Sequence, residues 1–203
     1  MSKQHHMVLG VTGSIAAYKA AELVRLMKKR GWLVSVVMTE AAKRFVGELT
    51  LQTLSQNPVL IDEFETGGKW DPAHVSLADL ADVLVIAPCT ANVIAKLAHG
   101  LADDALTSTA LACTAPLVIA PAMNDNMWRH PATMENLRVL KERRALIVNP
   151  GRGDLACGRI GEGRLAALEK ILDAVEKALS TKRGKKHPTS NAERSTGSVN
   201  VEC

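Results

Sequence analysis

Five short β-branched or aliphatic runs, Met7 to Val11, Leu33 to Met38, Val83 to Ala87, Leu117 to Ala120 and Leu146 to Val148, alternate with helical patterns along the chain. Each run reads as a buried parallel strand. The clearest helical stretch is Ala16 to Arg30, where Ala17, Ala20, Ala21, Val24 and Met27 recur at three- and four-residue spacing and Gly31 ends the pattern. Met134 to Arg144 and Leu165 to Leu179 read the same way. Strand, helix, strand, repeated without any internal sequence repeat, predicts an α/β fold with an open, doubly wound parallel sheet between two helical layers.

The rest of the composition fits that frame. At 203 residues the chain is long enough for one α/β domain or two small ones. Aromatics make up only 3%, so aliphatic side chains fill the core, which suits helices on a sheet better than a β-sandwich. Most of the net charge of +4 sits at the end of the chain, where Lys182, Arg183, Lys185, Lys186 and Arg194 face only Glu193 and Glu202. The folded part therefore offers no basic surface for nucleic acid. From Ser180 onward no apolar pattern remains, so residues 5–180 form the expected domain and 181–203 a disordered basic tail or truncated linker. Cys89, Cys113, Cys157 and Cys203 form no Cys-x-x-Cys pair, and neither a metal site nor a disulfide framework is expected. No run approaches the ~20 apolar residues of a membrane span, which makes the cytoplasm the default compartment.

In doubly wound sheets ligands bind beyond the carboxyl ends of the strands. The first exit, Gly10-Val11-Thr12-Gly13-Ser14-Ile15-Ala16-Ala17, combines a tight turn at Gly13 with a hydroxyl at a helix start, fit for a phosphate or for a plain N-cap by Ser14. It lacks the three glycines of a dinucleotide fingerprint, and the second strand ends in the neutral Thr39, so a mononucleotide fits better than NAD. After the third run, Pro88-Cys89-Thr90-Ala91-Asn92 offers Thr90 as helix cap or ligand contact and Asn92 as donor and acceptor to a heterocycle. After the fourth, Pro121-Ala122-Met123-Asn124-Asp125-Asn126-Met127-Trp128 mixes large apolar residues with asparagines. That mixture suits a pocket gripping a flat ring and a polar group; alternatively, Met127 and Trp128 pin the loop to the core. The fifth exit carries five glycines from Gly151 to Gly163, a mobile segment of the kind used as an active-site flap, with Cys157 in its middle as candidate proton donor or nucleophile. Cys89 and Cys113 lie in apolar surroundings that suggest inert thiols. Before the third run, His74 stands at a helix start, as a capping residue or as a base near neutral pH.

Taken together, His74-Val75-x-Leu77, Ala87-Pro88-x-Thr90-Ala91-Asn92, Pro121-Ala122-Met123-Asn124-x-x-Met127-Trp128 and Ala156-Cys157-Gly158-x-x-Gly161-x-Gly163 resemble the homo-oligomeric flavin-containing cysteine decarboxylases, from about Met7 to Leu179. Within that family the chain looks most like the branch acting on 4'-phospho-N-pantothenoylcysteine, including the flavodoxin-like, Rossmann-like domain that opens the bifunctional bacterial coenzyme A enzyme. Thr90 stands where the family commonly has serine, Val93 where threonine often follows, and Leu165 where many members carry methionine near the substrate.

The resemblance implies FMN as cofactor, its phosphate around Gly13, Ser14, Ile15 and Thr39, its ring near Ala122, with Thr90, Ala91 and Asn92 alongside. It implies His74 as base, Asn124 as the holder of the substrate carboxylate, Cys157 as proton donor, and Ala156 and Leu165 beside the substrate. The implied reaction is FMN-dependent decarboxylation to 4'-phosphopantetheine through a flavin-oxidised thioaldehyde. The family alternatives are a lantibiotic-type peptidyl-cysteine decarboxylase, or a phosphatase-inhibiting regulatory subunit without catalysis. The resemblance also implies a trimer or a multiple of trimers with the flavin near a subunit boundary. Residues 181–203 are too few to fold the ligase that joins cysteine to phosphopantothenate, so the expectation is either a stand-alone decarboxylase or a ligase on another chain.

Overall fold

The computed structural model describes residues 4–62, 72–156 and 158–183. Six parallel strands, β1 (His6–Val11), β2 (Leu33–Met38), β3 (Val59–Leu60), β4 (Val83–Cys89), β5 (Leu117–Pro121) and β6 (Leu146–Ile147), form one sheet in the order β3-β2-β1-β4-β5-β6. Side chains alternate between the two faces, and both faces are covered, which is why the strands are apolar throughout. Met7, Leu9 and Val11 of β1 join Val83, Val85 and Ala87 of β4 on one side, while Val8, Leu84 and Ile86 face the other. Leu9 sits opposite Val36 and Val85 in the ladder.

The first face is packed by α1 (Lys19–Lys29), α2 (Glu48–Ser55) and α8 (Leu168–Arg183), through residues such as Leu23, Met27, Leu51, Ile171 and Val175. The second is packed mainly by α4 (Ala91–His99), α5 (Ala105–Ala112) and α7 (Pro131–Glu142), with α3 (Ala73–Leu80) against α5 and the short α6 (Asp125–Arg129) leading into α7. From β1 the chain steps outward to β2 and β3, then returns to the other side of β1 for β4, β5 and β6. The helices leaving β1 and β4 therefore go to opposite faces and open a crevice above the strand ends, as the doubly wound reading expects.

Four local expectations change. The helix expected from Ala16 begins as a 3-10 turn, Ile15–Tyr18, before α1. The helix expected from Met134 starts at Pro131, a residue suited to a first turn because it lacks an N–H, with His130 as N-cap. Leu165 precedes α8 rather than beginning it, and α8 runs on to Arg183; residues 184–203 lie outside the described residues. The glycine-rich fifth exit is a two-stranded antiparallel hairpin, β7 (Gly151–Asp154) with β8 (Ile160–Arg164). Its pairing owes nothing to strand propensity; docking supplies the order. The Met123 N–H donates to the Gly163 carbonyl at 2.9 Å, and Arg159 Nη2 pairs with Asp125 Oδ1 at 2.9 Å. Gly163 has φ +145°, and a methyl there would run into the Met123 carbonyl, so only glycine allows so close an approach.

Candidate functional site

The switch point between β1 and β4 is fastened by one hydroxyl. Thr12, wholly buried just past β1, donates from Oγ1 to the Pro88 carbonyl at 2.8 Å and accepts from the Thr90 N–H at 3.0 Å. It sets the first exit against the third. Beyond it, Ser14 is the N-cap of the 3-10 turn: its Oγ accepts from Ala16 N at 3.3 Å and donates to the Ala122 carbonyl at 3.4 Å, reaching the exit of β5. Gly13 is pressed against the next loop, where a Cβ would lie 2.5 Å from that of Ala41. Thr39, at the end of β2, donates its N–H to the Val11 carbonyl at 3.1 Å. Its hydroxyl is buried and has no hydrogen-bond partner among the described residues. Beside a turn with neutral donors, that hydroxyl fits a bound oxyanion such as a phosphate.

A cavity of about 460 Å³ opens over these exits. That is within the usual range for small-molecule sites. One wall is Gly13, Ser14, Ile15, Tyr18 and Lys19; Thr90 and Ala122 lie at the strand ends. Met123, Asn124 and Met127 supply the β5 side, and the hairpin contributes Asp154, Leu155, Ala156, Gly163, Arg164 and then Leu165. The structure thus gathers Gly13, Ser14, Ile15, Thr90, Ala122, Asn124, Ala156 and Leu165 from segments far apart in the chain. Thr39, Ala91, Asn92 and His74 are not in this lining. Ala91 and Asn92 occupy the first turn of α4, Asn92 exposed, and His74 the first turn of α3, half-buried. Cys157 lies outside the described residues.

Several residues hold two positions at once. Thr90 accepts from Val93 N at 3.4 Å, capping α4, and also lines the cavity. Asn124 caps α6 through Oδ1, which accepts from Asn126 N at 2.9 Å, and lines the cavity as well. Met127 and Trp128 divide the two roles: Met127 is 47% exposed at the cavity, whereas Trp128 packs against the core. Cys89 is fully buried, and burial pushes its thiol far up, leaving it inert as expected. Cys113 is half-buried, its Sγ donating to the Ala78 carbonyl at 3.7 Å. Among the described residues no three His, Cys, Asp or Glu side chains gather into a metal site, and no helix is long and apolar enough to cross a membrane. Lys19, Arg164 and Thr12 were not singled out in the sequence.

The model of the Flavoprotein family matches residues 1–180. The chain belongs to the Flavoprotein family. This flavoprotein is 46% identical over 177 residues to the coenzyme A biosynthesis bifunctional protein CoaBC of Bacillus subtilis, a match covering 87% of this chain and 44% of that protein. It therefore spans under half the length of that relative. To the probable phosphopantothenoylcysteine decarboxylase of Streptococcus mutans it is 44% identical over 175 residues, covering 85% of this chain and 98% of the other. Among solved structures, a Cys-to-Ser mutant of PPC decarboxylase complexed with pantothenoylaminoethenethiol matches this flavoprotein with a TM-score of 0.78 at 33% identity, covering 86% and 98% of the two chains. The FMN-dependent cysteine decarboxylase SpaF matches with a TM-score of 0.77 at 35% identity, covering 89% and 98%.

Proposed function

We propose that this flavoprotein binds FMN and decarboxylates 4'-phospho-N-pantothenoylcysteine to 4'-phosphopantetheine. The observation that carries the reading is the convergence of the β1, β4 and β5 exits and the hairpin on one cavity, with the buried Thr39 hydroxyl, unpartnered among the described residues, on the residue whose N–H bonds the last carbonyl of β1. Losing carbon dioxide directly from a cysteine leaves an unstabilised carbanion, and bound flavin supplies the reversible two-electron chemistry that avoids it. Overall the reaction is redox-neutral: carbon dioxide leaves and one proton is gained.

In this reading Gly13, Ser14, Ile15 and Thr39 would hold the cofactor phosphate, and Thr90, Ala91, Asn92 and Ala122 would contact its ring. Asn124 orients the substrate carboxylate: its Oδ1 caps α6, and its side-chain amide carries the N–H donors that suit an anion. Ala156 and Leu165 would pack the substrate, Cys157 would donate a proton to it, and His74 would accept one from it. His74 stands in the first turn of α3, outside the cavity lining, so we assign it to the site of a neighbouring copy in a homo-oligomer, a trimer or a multiple of trimers. Ile15 and Tyr18, both 59% exposed at the cavity, suit such a boundary.

The test is to purify the chain, record a flavin spectrum, and measure carbon dioxide release from phosphopantothenoylcysteine and from a peptide ending in cysteine. Turnover of the first compound is expected. A chain that neither retains nor takes up FMN refutes the reading, and preference for the peptide reassigns the substrate.

A further inference from the structure

The cavity walls are largely apolar, and their charged members are Lys19, Arg164 and Asp154. Arg164 ends β8 and lies across the hairpin over Gly153, where a Cβ would meet its Cδ at 3.0 Å and Nη1 at 2.6 Å. Any larger residue at 153 would displace the arginine. Lys19 begins α1 on the wall formed by residues 13–19. Among the described residues neither cation is paired with a carboxylate. That is unlike Arg25, Arg30, Lys43, Lys96, Arg138 and the hairpin's own Arg159, each of which is paired. Two unpaired cations from separate elements thus reach one cavity, and counting Asp154 the lining carries a net positive charge.

The two anions already given partners under the proposed function meet neutral groups: the cofactor phosphate meets amides and hydroxyls, and the substrate carboxylate meets the Asn124 amide. A third anion remains, the phosphomonoester at the far end of the substrate. An arginine fork and a lysine point charge are the usual recognition elements for such a dianion. We infer that Lys19 and Arg164 form the subsite for the substrate phosphate, and that they set the preference for phosphorylated over unphosphorylated pantothenoylcysteine. This rests on the decarboxylase reading above.

The experiment uses the full chain loaded with FMN and compares kcat/KM for phosphopantothenoylcysteine and pantothenoylcysteine in the wild type, Lys19→Gln, Arg164→Gln and Arg164→Lys. Loss of a charge-assisted hydrogen bond predicts that the preference for the phosphorylated compound falls roughly ten- to a hundredfold in each Gln variant. The fall should come through KM, with wild-type flavin content, and Arg164→Lys should keep most of the preference. Equal losses on both compounds, or loss of flavin, assign the cations to the shared site or to the cofactor phosphate and overturn the inference. A wild type that does not distinguish the two compounds overturns it too, while leaving the decarboxylase reading in place. Turnover of neither compound removes that reading itself.

Discussion

Replacing Thr12 with valine keeps the shape of the side chain and removes its hydroxyl. Two groups lose their partner at a wholly buried position, the Pro88 carbonyl at 2.8 Å and the Thr90 N–H at 3.0 Å. Each buried group left unpaired costs roughly 1–3 kcal/mol, so Thr12→Val should destabilise the fold by about 2–6 kcal/mol. Against a total stability of ~5–15 kcal/mol that is a large share. In urea, at a slope of about 2 kcal/mol per M, the midpoint should fall by roughly 1–3 M. Thr12→Ser retains the hydroxyl and loses one methyl, costing about 1 kcal/mol. Because Thr90 is positioned through this bond, flavin retention should weaken in the valine variant and recover in the serine variant. A valine variant that unfolds at the wild-type midpoint, or a serine variant as unstable as the valine one, would refute the claim that the hydroxyl joins the two strand exits.

Three further outcomes are expected. Gly163→Ala combines φ +145° with a collision at the Met123 carbonyl, so about 1–3 kcal/mol of strain should undock the hairpin; limited proteolysis should then cut residues 151–164 faster than in the wild type. Asp104→Ala removes the cap on Thr107 N at 2.9 Å and the partner of Lys96 at 2.9 Å, costing about 1–2 kcal/mol by urea titration. Burial raises the Asp104 carboxyl's pKa, but hydrogen bonds from Lys96 and Thr107 outweigh it and hold the group below its ordinary value. Its contribution is therefore complete above the unfolded carboxylate pKa of ~4 and disappears as the pH falls through the lower folded value, so the gap between wild type and Asp104→Asn should close in acid. Cys157→Ser should release carbon dioxide but accumulate an unsaturated product, read by mass spectrometry; normal formation of saturated product would exclude the thiol as proton donor.

Strands of five residues or more were legible in the sequence because burial on both faces makes them continuous apolar runs. Among the two-residue edge strands, β6 was legible because Val148 extends its apolar run, whereas Val59–Leu60 was not singled out. The hairpin was hidden for a different reason: its glycines lower strand propensity, and its order comes from contacts with Met123 and Asp125, about thirty to forty positions away in the chain. In the site, Gly13, Ser14, Thr90, Ala122 and Asn124 could be read because they follow strands directly, where this topology places ligands. Thr12 acquires meaning only once β1 and β4 are neighbours. Lys19 and Arg164 resemble solvent-facing charges until α1 and β8 are brought to the same cavity.

Both fastenings of the hairpin end on the three residues Met123 to Asp125, and the middle one is Asn124. The clasp over the cavity and the amide inside it therefore share an anchor. Lifting one tugs on the other, so weakening Arg159 and altering Asn124 should yield effects that do not add. Under the proposed function, the hairpin's seat and the group assigned to the substrate carboxylate are thus built on one short segment.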